Sequence, residues 1–183
     1  RGAFAALKQD GTVVTWGNIT NGGDSSAVQG QLTNVQTIFS TVSGAFAALK
    51  QDGTVVTWGL ANGGGDSSAV QAQLTNVQTI YAANYAFAAL KQDGTVVTWG
   101  DITIGADSSA VQAQLTNVQT IFSTGYAFAA LKQDGTVVTW GLATQGGDSS
   151  AVQAQLTNVQ TIFSAGDGAF AALKQDGTVV TWG

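Results

Sequence analysis

A stretch of fifteen residues, Ala-Phe-Ala-Ala-Leu-Lys-Gln-Asp-Gly-Thr-Val-Val-Thr-Trp-Gly, occurs unchanged five times, at 3–17, 45–59, 86–100, 127–141 and 169–183. Its tryptophans, Trp16, Trp58, Trp99, Trp140 and Trp182, are spaced 42, 41, 41 and 42 residues apart. A unit of this size cannot bury its own apolar faces, so neighbouring units must complete one another's cores. The period therefore predicts a single repeat array over 1–183: a partial repeat 1–34, repeats 35–76, 77–117 and 118–158, and a last repeat 159–183 that stops after its hairpin. Arg1-Gly2-Ala3 aligns with Ser43-Gly44-Ala45, in the middle of a repeat, and the chain reads as an excerpt or processed piece of something longer.

Within one repeat the patterning is that of strands. Val77-Gln78-Thr79-Ile80-Tyr81 alternates, with Val77, Thr79 and Tyr81 expected on one face and Gln78 and Ile80 on the other. Ala86-Phe87-Ala88-Ala89-Leu90 is apolar on both faces and rich in small residues, as suits a strand between two closely packed sheets. Helix propensity argues the other way, but the run is short and stops at Lys91-Gln92-Asp93-Gly94. Asp-Gly between apolar runs signals a hairpin, because Gly takes positive φ without steric cost. The return strand is Thr95-Val96-Val97-Thr98-Trp99. The segment 105–117 opens on turn formers and reads as a connector with one short helical turn, capped by Asp107 or Ser108, with Val111 and Leu115 facing inward.

The expected fold is all-β, with three antiparallel strands per repeat of about 41–42 residues. Two architectures bury each sheet on both faces: propeller blades, or an open β-solenoid or spiral. Val118-Gln119-Thr120-Ile121, then Ala130-Leu131-Lys132-Gln133-Asp134-Gly135-Thr136-Val137, then Trp140-Gly141, resembles the repeat of the regulator of chromosome condensation family. The wording is most similar to bacterial members with three-stranded blades, such as the propeller-type β-lactamase inhibitor protein. The resemblance runs through all repeats and implies a propeller that binds proteins. Two features depart from the family: variable residues and then Gly-Gly-Asp-Ser-Ser follow Trp-Gly, as at 146–150, and fewer blades are present than the usual seven.

Strand counting adds a constraint. There are five hairpin blocks but four copies of Val-Gln-Thr-Ile, beginning at Val35, Val77, Val118 and Val159. The hairpin Ala3–Gly17 lacks a leading strand, and its edge is expected to pair with further repeats or with another copy of the chain.

The residue inventory narrows function. No His, Cys or Glu is present, so among the usual acids and bases only Asp remains, and no enzyme or cofactor is expected. Charged residues make up 9% and the net charge is −5, which disfavours nucleic acid and anionic membrane. No apolar run is long enough to insert as a membrane helix. Asp10, Asp52, Asp93, Asp134 and Asp176 are explained as turn residues. Asp24, Asp66, Asp107 and Asp148, each before Ser-Ser, read as Asx-turn or cap residues, with Ca²⁺ ligation as the alternative. The tryptophans read as packing residues, with sugar stacking as the alternative.

Residues constant in every copy are accounted for by shared packing, so partner recognition is expected where the copies differ. One variable loop follows Trp-Gly and supplies Asn18 and Ile19, Leu60 and Asn62, Asp101 and Ile102, and Leu142 and Thr144. The other precedes the Ala-Phe block, at Thr41-Val42-Ser43, at 82–85 with Tyr85, at 124–126 with Tyr126, and at Ala165-Gly166-Asp167. Loops on a rigid scaffold vary without disturbing the core. The expected function is a non-enzymatic protein-interaction or adhesion module. Bacterial-looking repeats and the absence of Cys suggest part of a larger bacterial extracellular protein. The alternatives are a self-assembling filament or surface-layer protein that uses its open edge, and a glycan-binding propeller.

Overall fold

The structure, a computed structural model, describes residues 2–166 and 168–183, so Arg1 and Asp167 lie outside it. Five antiparallel sheets follow one another along the chain. The first has two strands, β1 (Ala3–Leu7) and β2 (Val13–Gly17). Four three-stranded meanders follow: β3 (Val35–Ser40), β4 (Ala45–Lys50) and β5 (Val55–Gly59); β6 (Val77–Ala82), β7 (Ala86–Lys91) and β8 (Val96–Gly100); β9 (Val118–Ser123), β10 (Ala127–Lys132) and β11 (Val137–Gly141); β12 (Val159–Ala165), β13 (Ala169–Lys174) and β14 (Val179–Trp182). Among the described residues the first sheet has two strands where the others have three.

The middle strand of each internal sheet is apolar on both faces because each face meets a different neighbour. From the third sheet, Ala86, Ala88, Leu90 and Val96 pack against Ile121, Phe128, Ala130, Val138 and Trp140 of the fourth. The opposite face of that third sheet, Ile80, Phe87, Ala89, Val97 and Trp99, packs against Ala45, Ala47, Leu49 and Val55 of the second. The small alanines let the sheets approach closely, while each Phe–Trp pair, such as Phe87 and Trp99 at 5.1 Å, stacks. Among the described residues the outward faces of the first and last sheets have no such neighbour, and Phe4, Trp16 and Val179 there are exposed.

The leading strands depart from simple alternation. Val77 and Ile80, three residues apart, are both buried in one core with Leu74. The register slips between Val77, opposite Lys91, and Thr79, opposite Leu90. Gln78 is thus the extra residue of a β-bulge, which shifts the phase of everything before it. The same slip occurs in the other three-stranded sheets.

The Asp-Gly turns join neighbouring repeats as well as strands. Gly94 takes φ +77°, and a Cβ there would sit 3.1 Å from the Cα of Asn117, the residue just before the next repeat's leading strand. The Val118 N–H donates to the Gly94 carbonyl at 2.9 Å, and the Gln133 N–H to the Asn117 carbonyl at 2.9 Å. Asn117 itself sits at φ +53°, in the left-handed region Asn tolerates better than most residues. Equivalent pairs of bonds recur at every junction.

The connector differs from the helical turn expected. Its helical piece is a single 3-10 turn at Gln112–Gln114, preceded by Val111, which supplies no side-chain cap. Asp107 accepts the Ser109 N–H at 2.9 Å in an Asx turn instead. Leu115 is fully buried and Val111 half-buried, as anticipated. A polar relay ties the connector down: the Thr98 and Ser108 hydroxyls lie 2.9 Å apart, Ser108 donates to Gln112 Oε1, and Gln112 Nε2 donates to the Val96 carbonyl. Four copies of this relay account for the constant Thr, Ser and Gln positions.

Candidate interaction surface

Both variable loop series leave the blades at one end, because the last residues of each return strand pair with the first of each middle strand. Gly59 lies opposite Ala45, and from there the Leu60 N–H donates to the Gly44 carbonyl at 3.0 Å. Asp101 and Leu142 donate in the same way to Tyr85 and Tyr126. Contacts also cross between repeats. Gly44 packs on Asn21 of the preceding repeat's loop, while within repeat 35–76 the Thr41 hydroxyl donates to the Gly63 carbonyl at 3.2 Å. The Ser43 N–H donates to the Asn84 carbonyl at 3.0 Å, and the Asn84 N–H to the Gly125 carbonyl at 2.8 Å. Backbone bonds thus link the variable loops of repeats 35–76, 77–117 and 118–158.

The residues singled out from the sequence divide into two kinds here. Asn18 and Asp101 cap their loops: Asn18 Oδ1 accepts from the Thr20 and Asn21 N–H groups, and Asp101 Oδ1 accepts the Thr103 N–H at 2.8 Å. Tyr85, Tyr126, Leu60 and Leu142 are half-buried, whereas Asn62 and Thr144 are exposed. Ile19 and Ile102 are 72% and 73% exposed, large apolar side chains held out on capped 3-10 and π turns. Val42, 84% exposed, joins them from the second series. It lies in the variable segment Thr41-Val42-Ser43, and the repeat spacing marks it as well. The loops before β7 and β10 need three residues, and the one before β4 needs four because Val42 is the insertion behind the longer spacing.

One loop is irregular. Glycines 22, 64 and 146 offer their carbonyls to the indole N–H of Trp58, Trp99 and Trp182 of the next sheet, at 3.0–3.1 Å. The equivalent Gly105 makes no such bond, and Trp140 Nε1 is the one buried side-chain polar atom without a partner among the described residues. The neighbouring position explains the difference. It is glycine in the other loops, where a Cβ would meet backbone atoms of Gly17 at 2.6 Å or of Gly59 at 2.5 Å, but it is Ala106 here. The loop lifts to make room. A Cβ on Gly105 would clear the Phe128 ring by 3.4 Å, against 2.5–2.8 Å over the equivalent phenylalanines.

The carboxylates are engaged locally. Asp93 Oδ1 accepts both the N–H and the hydroxyl of Thr95, at 2.9 and 2.6 Å. Asp10 has the Thr12 equivalents plus Lys8 at 3.2 Å, and its pKa is lowered from 3.8 to about 2, first by the Thr12 hydroxyl and then by the Thr12 N–H. Hydrogen bonds from Ser26, Ser68, Ser109 and Ser150 lower Asp24, Asp66, Asp107 and Asp148. Among the described residues no group of three or more acids could hold a metal ion.

These shifts carry a pH prediction. Groups lowered in the fold stabilise it above their unfolded pKa, and that contribution is lost as pH falls through the folded pKa. The thermal midpoint, followed by circular dichroism, is expected to drop as pH is lowered from about 4 to about 2. An Asp10→Asn variant is expected to show a shallower drop.

No protein-family model and no curated protein matches the chain. Solved structures do. Prp20p of Saccharomyces cerevisiae, described with its binding properties to Gsp1p and histones, is 16% identical with a TM-score of 0.60 over 99% of this chain and 52% of its own. Human WBSCR16 is 19% identical, TM-score 0.55, over 100% and 60%. The CRINKLY WD40 ectodomain of the Arabidopsis thaliana receptor kinase ACR4 is 17% identical, TM-score 0.54, over 100% and 62%. These likenesses establish a repeat fold of the type seen in Prp20p, and the chain spans about half to three-fifths of those structures. No described helix is long and apolar enough to cross a membrane.

Proposed function

We propose that the chain is a non-enzymatic protein-interaction or adhesion module that engages its partner through the row of variable loops. The observation that carries this is the exposure of Ile19, Val42 and Ile102, with Val42 and Ile102 on loops linked by backbone bonds and Ile19 on a loop held to the next repeat by the Trp58 indole and by Asn21 against Gly44. Apolar groups held out on a rigid rim can be buried by a partner at little ordering cost. The described acids are engaged in turns and caps. The Prp20p-type fold supports the reading, since that protein's described partners, Gsp1p and histones, are themselves proteins. A finer placement in a larger bacterial extracellular protein rests on the wording of the repeats and the absence of Cys.

The glycan alternative draws less support. Trp58, Trp99, Trp140 and Trp182 are buried and present no ring for a sugar to stack on, so the one exposed ring, Trp16, gives no series of one site per repeat.

The test is binding of the intact chain to parallel protein and glycan arrays. Protein ligands are expected, with affinity falling at least tenfold when Ile19 and Ile102 are both changed to Ser. A Gln36→Ser control on a leading strand is expected to bind as wild type. Retained binding by the double variant, or glycan ligands alone, would refute the reading.

A further inference from the structure

The junction between the third and fourth sheets, where Ala106 replaces glycine, also holds the largest groove of the molecule among the described residues. It measures about 590 Å³ and lies between two successive connectors, lined by Asp107 and Val111 from one and by Val138, Trp140 and Asp148 from the following sheet and connector. The equivalent groove at the first junction, lined by Asp24, Val28 and Trp58, measures about 330 Å³ and has no second carboxylate in its lining. Every connector carries the same Asp-Ser-Ser-Ala-Val run, so the connectors themselves do not make the difference. The methyl group of Ala106 does, by lifting the loop that enters the connector, and the partnerless indole N–H of Trp140 marks the same displacement.

Charge sets what this groove can take. Each of the five lysines stands two residues before the aspartate of an Asp-Gly turn, so the turns are neutral and the net charge of −5 lies elsewhere. Asp107 and Asp148 pair with no cation among the described residues. Their Oδ1 atoms accept the Ser109 and Ser150 N–H groups at 2.9 and 2.8 Å, and hydrogen bonds from these serines lower both pKa values, so the two carboxylates are fixed in place and ionised. Val111 and Val138 beside them are apolar. Fixed carboxylates next to an apolar surface match a side chain with an aliphatic stem and a cationic head. We propose, resting on the reading of the chain as a protein-interaction module, that this groove takes a lysine or arginine side chain of the protein partner, its stem against Val111 and Val138 and its head at Asp107 and Asp148. Ala143, from the variable loop 142–144, also lines the groove, which makes it continuous with the loop row. The contact is exposed and electrostatic, and therefore weak and salt-sensitive by itself.

Nuclear magnetic resonance titration of the intact chain with N-acetyl-arginine amide or N-acetyl-lysine amide tests this, with the neutral N-acetyl-citrulline amide as control. A basic compound is expected to shift the Ser109 and Ser150 amide resonances saturably, with smaller changes at Ser26 and Ser68, and the citrulline compound to leave all four in place. The Asp107→Asn/Asp148→Asn chain is expected to bind at least fivefold more weakly. Ala106→Gly is expected to weaken binding at least threefold while raising the denaturation midpoint, a combination that unfolding cannot produce. Equal shifts at all four connectors, binding of citrulline as tight as that of arginine, or no saturable shift with either basic compound would each overturn the proposal. So would Ala106→Gly binding as tightly as wild type. The Ile19→Ser/Ile102→Ser chain should bind the basic compounds as wild type, so loss of loop binding and absence of this site read as separate results.

Discussion

Trp99→Ala is expected to destabilise the array by about 3–5 kcal/mol, while the chemically identical Trp16→Ala costs under about 1 kcal/mol. Both residues end the same fifteen-residue block, so local sequence predicts equal effects. Their surroundings differ. Trp99 is 4% exposed, stacks on Phe87, donates its indole N–H to Gly64 at 3.0 Å and packs against the second sheet; Trp16 is 51% exposed and meets Phe4 with no sheet beyond it. Truncating Trp99 leaves a cavity and an unpaired carbonyl at a central junction. In a nearest-neighbour array, a weakened central junction also uncouples the two sides. Urea denaturation followed by circular dichroism should therefore show a lower and broader transition for Trp99→Ala, and a nearly unchanged one for Trp16→Ala.

Ala106→Gly is expected to stabilise the protein, against the usual cost of introducing glycine. Removing the Cβ lets the loop settle onto Phe128 as its counterparts do, and returns the Gly105 carbonyl to Trp140 Nε1. Satisfying a buried donor is worth about 1–3 kcal/mol, and the extra backbone freedom of glycine removes about 0.5–1 kcal/mol. The net gain is about 1 kcal/mol. The reciprocal change, Gly147→Ala, is expected to cost about 1–3 kcal/mol by crowding the Gly141 carbonyl and lifting Gly146 from Trp182. Opposite shifts in the denaturation midpoint would establish the mechanism. Shifts of the same sign would refute it.

The strands and Asp-Gly turns were legible because their signals are local. Alternation, turn chemistry and the repeat period each need only a few neighbouring residues. The strand count was legible too, since four leading strands for five hairpins is arithmetic on the chain. The bulge at Gln78 was not, because it depends on Val77 pairing with Lys91 rather than on anything between Val77 and Tyr81. The relay from Thr98 through Ser108 to Gln112 was hidden for a similar reason: its members belong to a strand and a connector that meet only on folding. At the loop end, variability pointed to the right segments without separating roles. Asn18 and Asp101 proved to be caps, and Val42, marked also by one extra residue of spacing, proved the most exposed of the apolar loop residues.

The sequence by itself determined that this is an array of small β units, each incomplete alone. That property follows from period and patterning, which no packing arrangement can alter. Only the tertiary structure decided what each copy of a constant residue experiences. One Phe–Trp pair is a surface platform while four are core, and one indole is left unpaired by a methyl group on the preceding repeat. The physical reason is that every core here lies between sheets, so a residue's environment is set by the neighbouring repeat, or by its absence, rather than by its own sequence context.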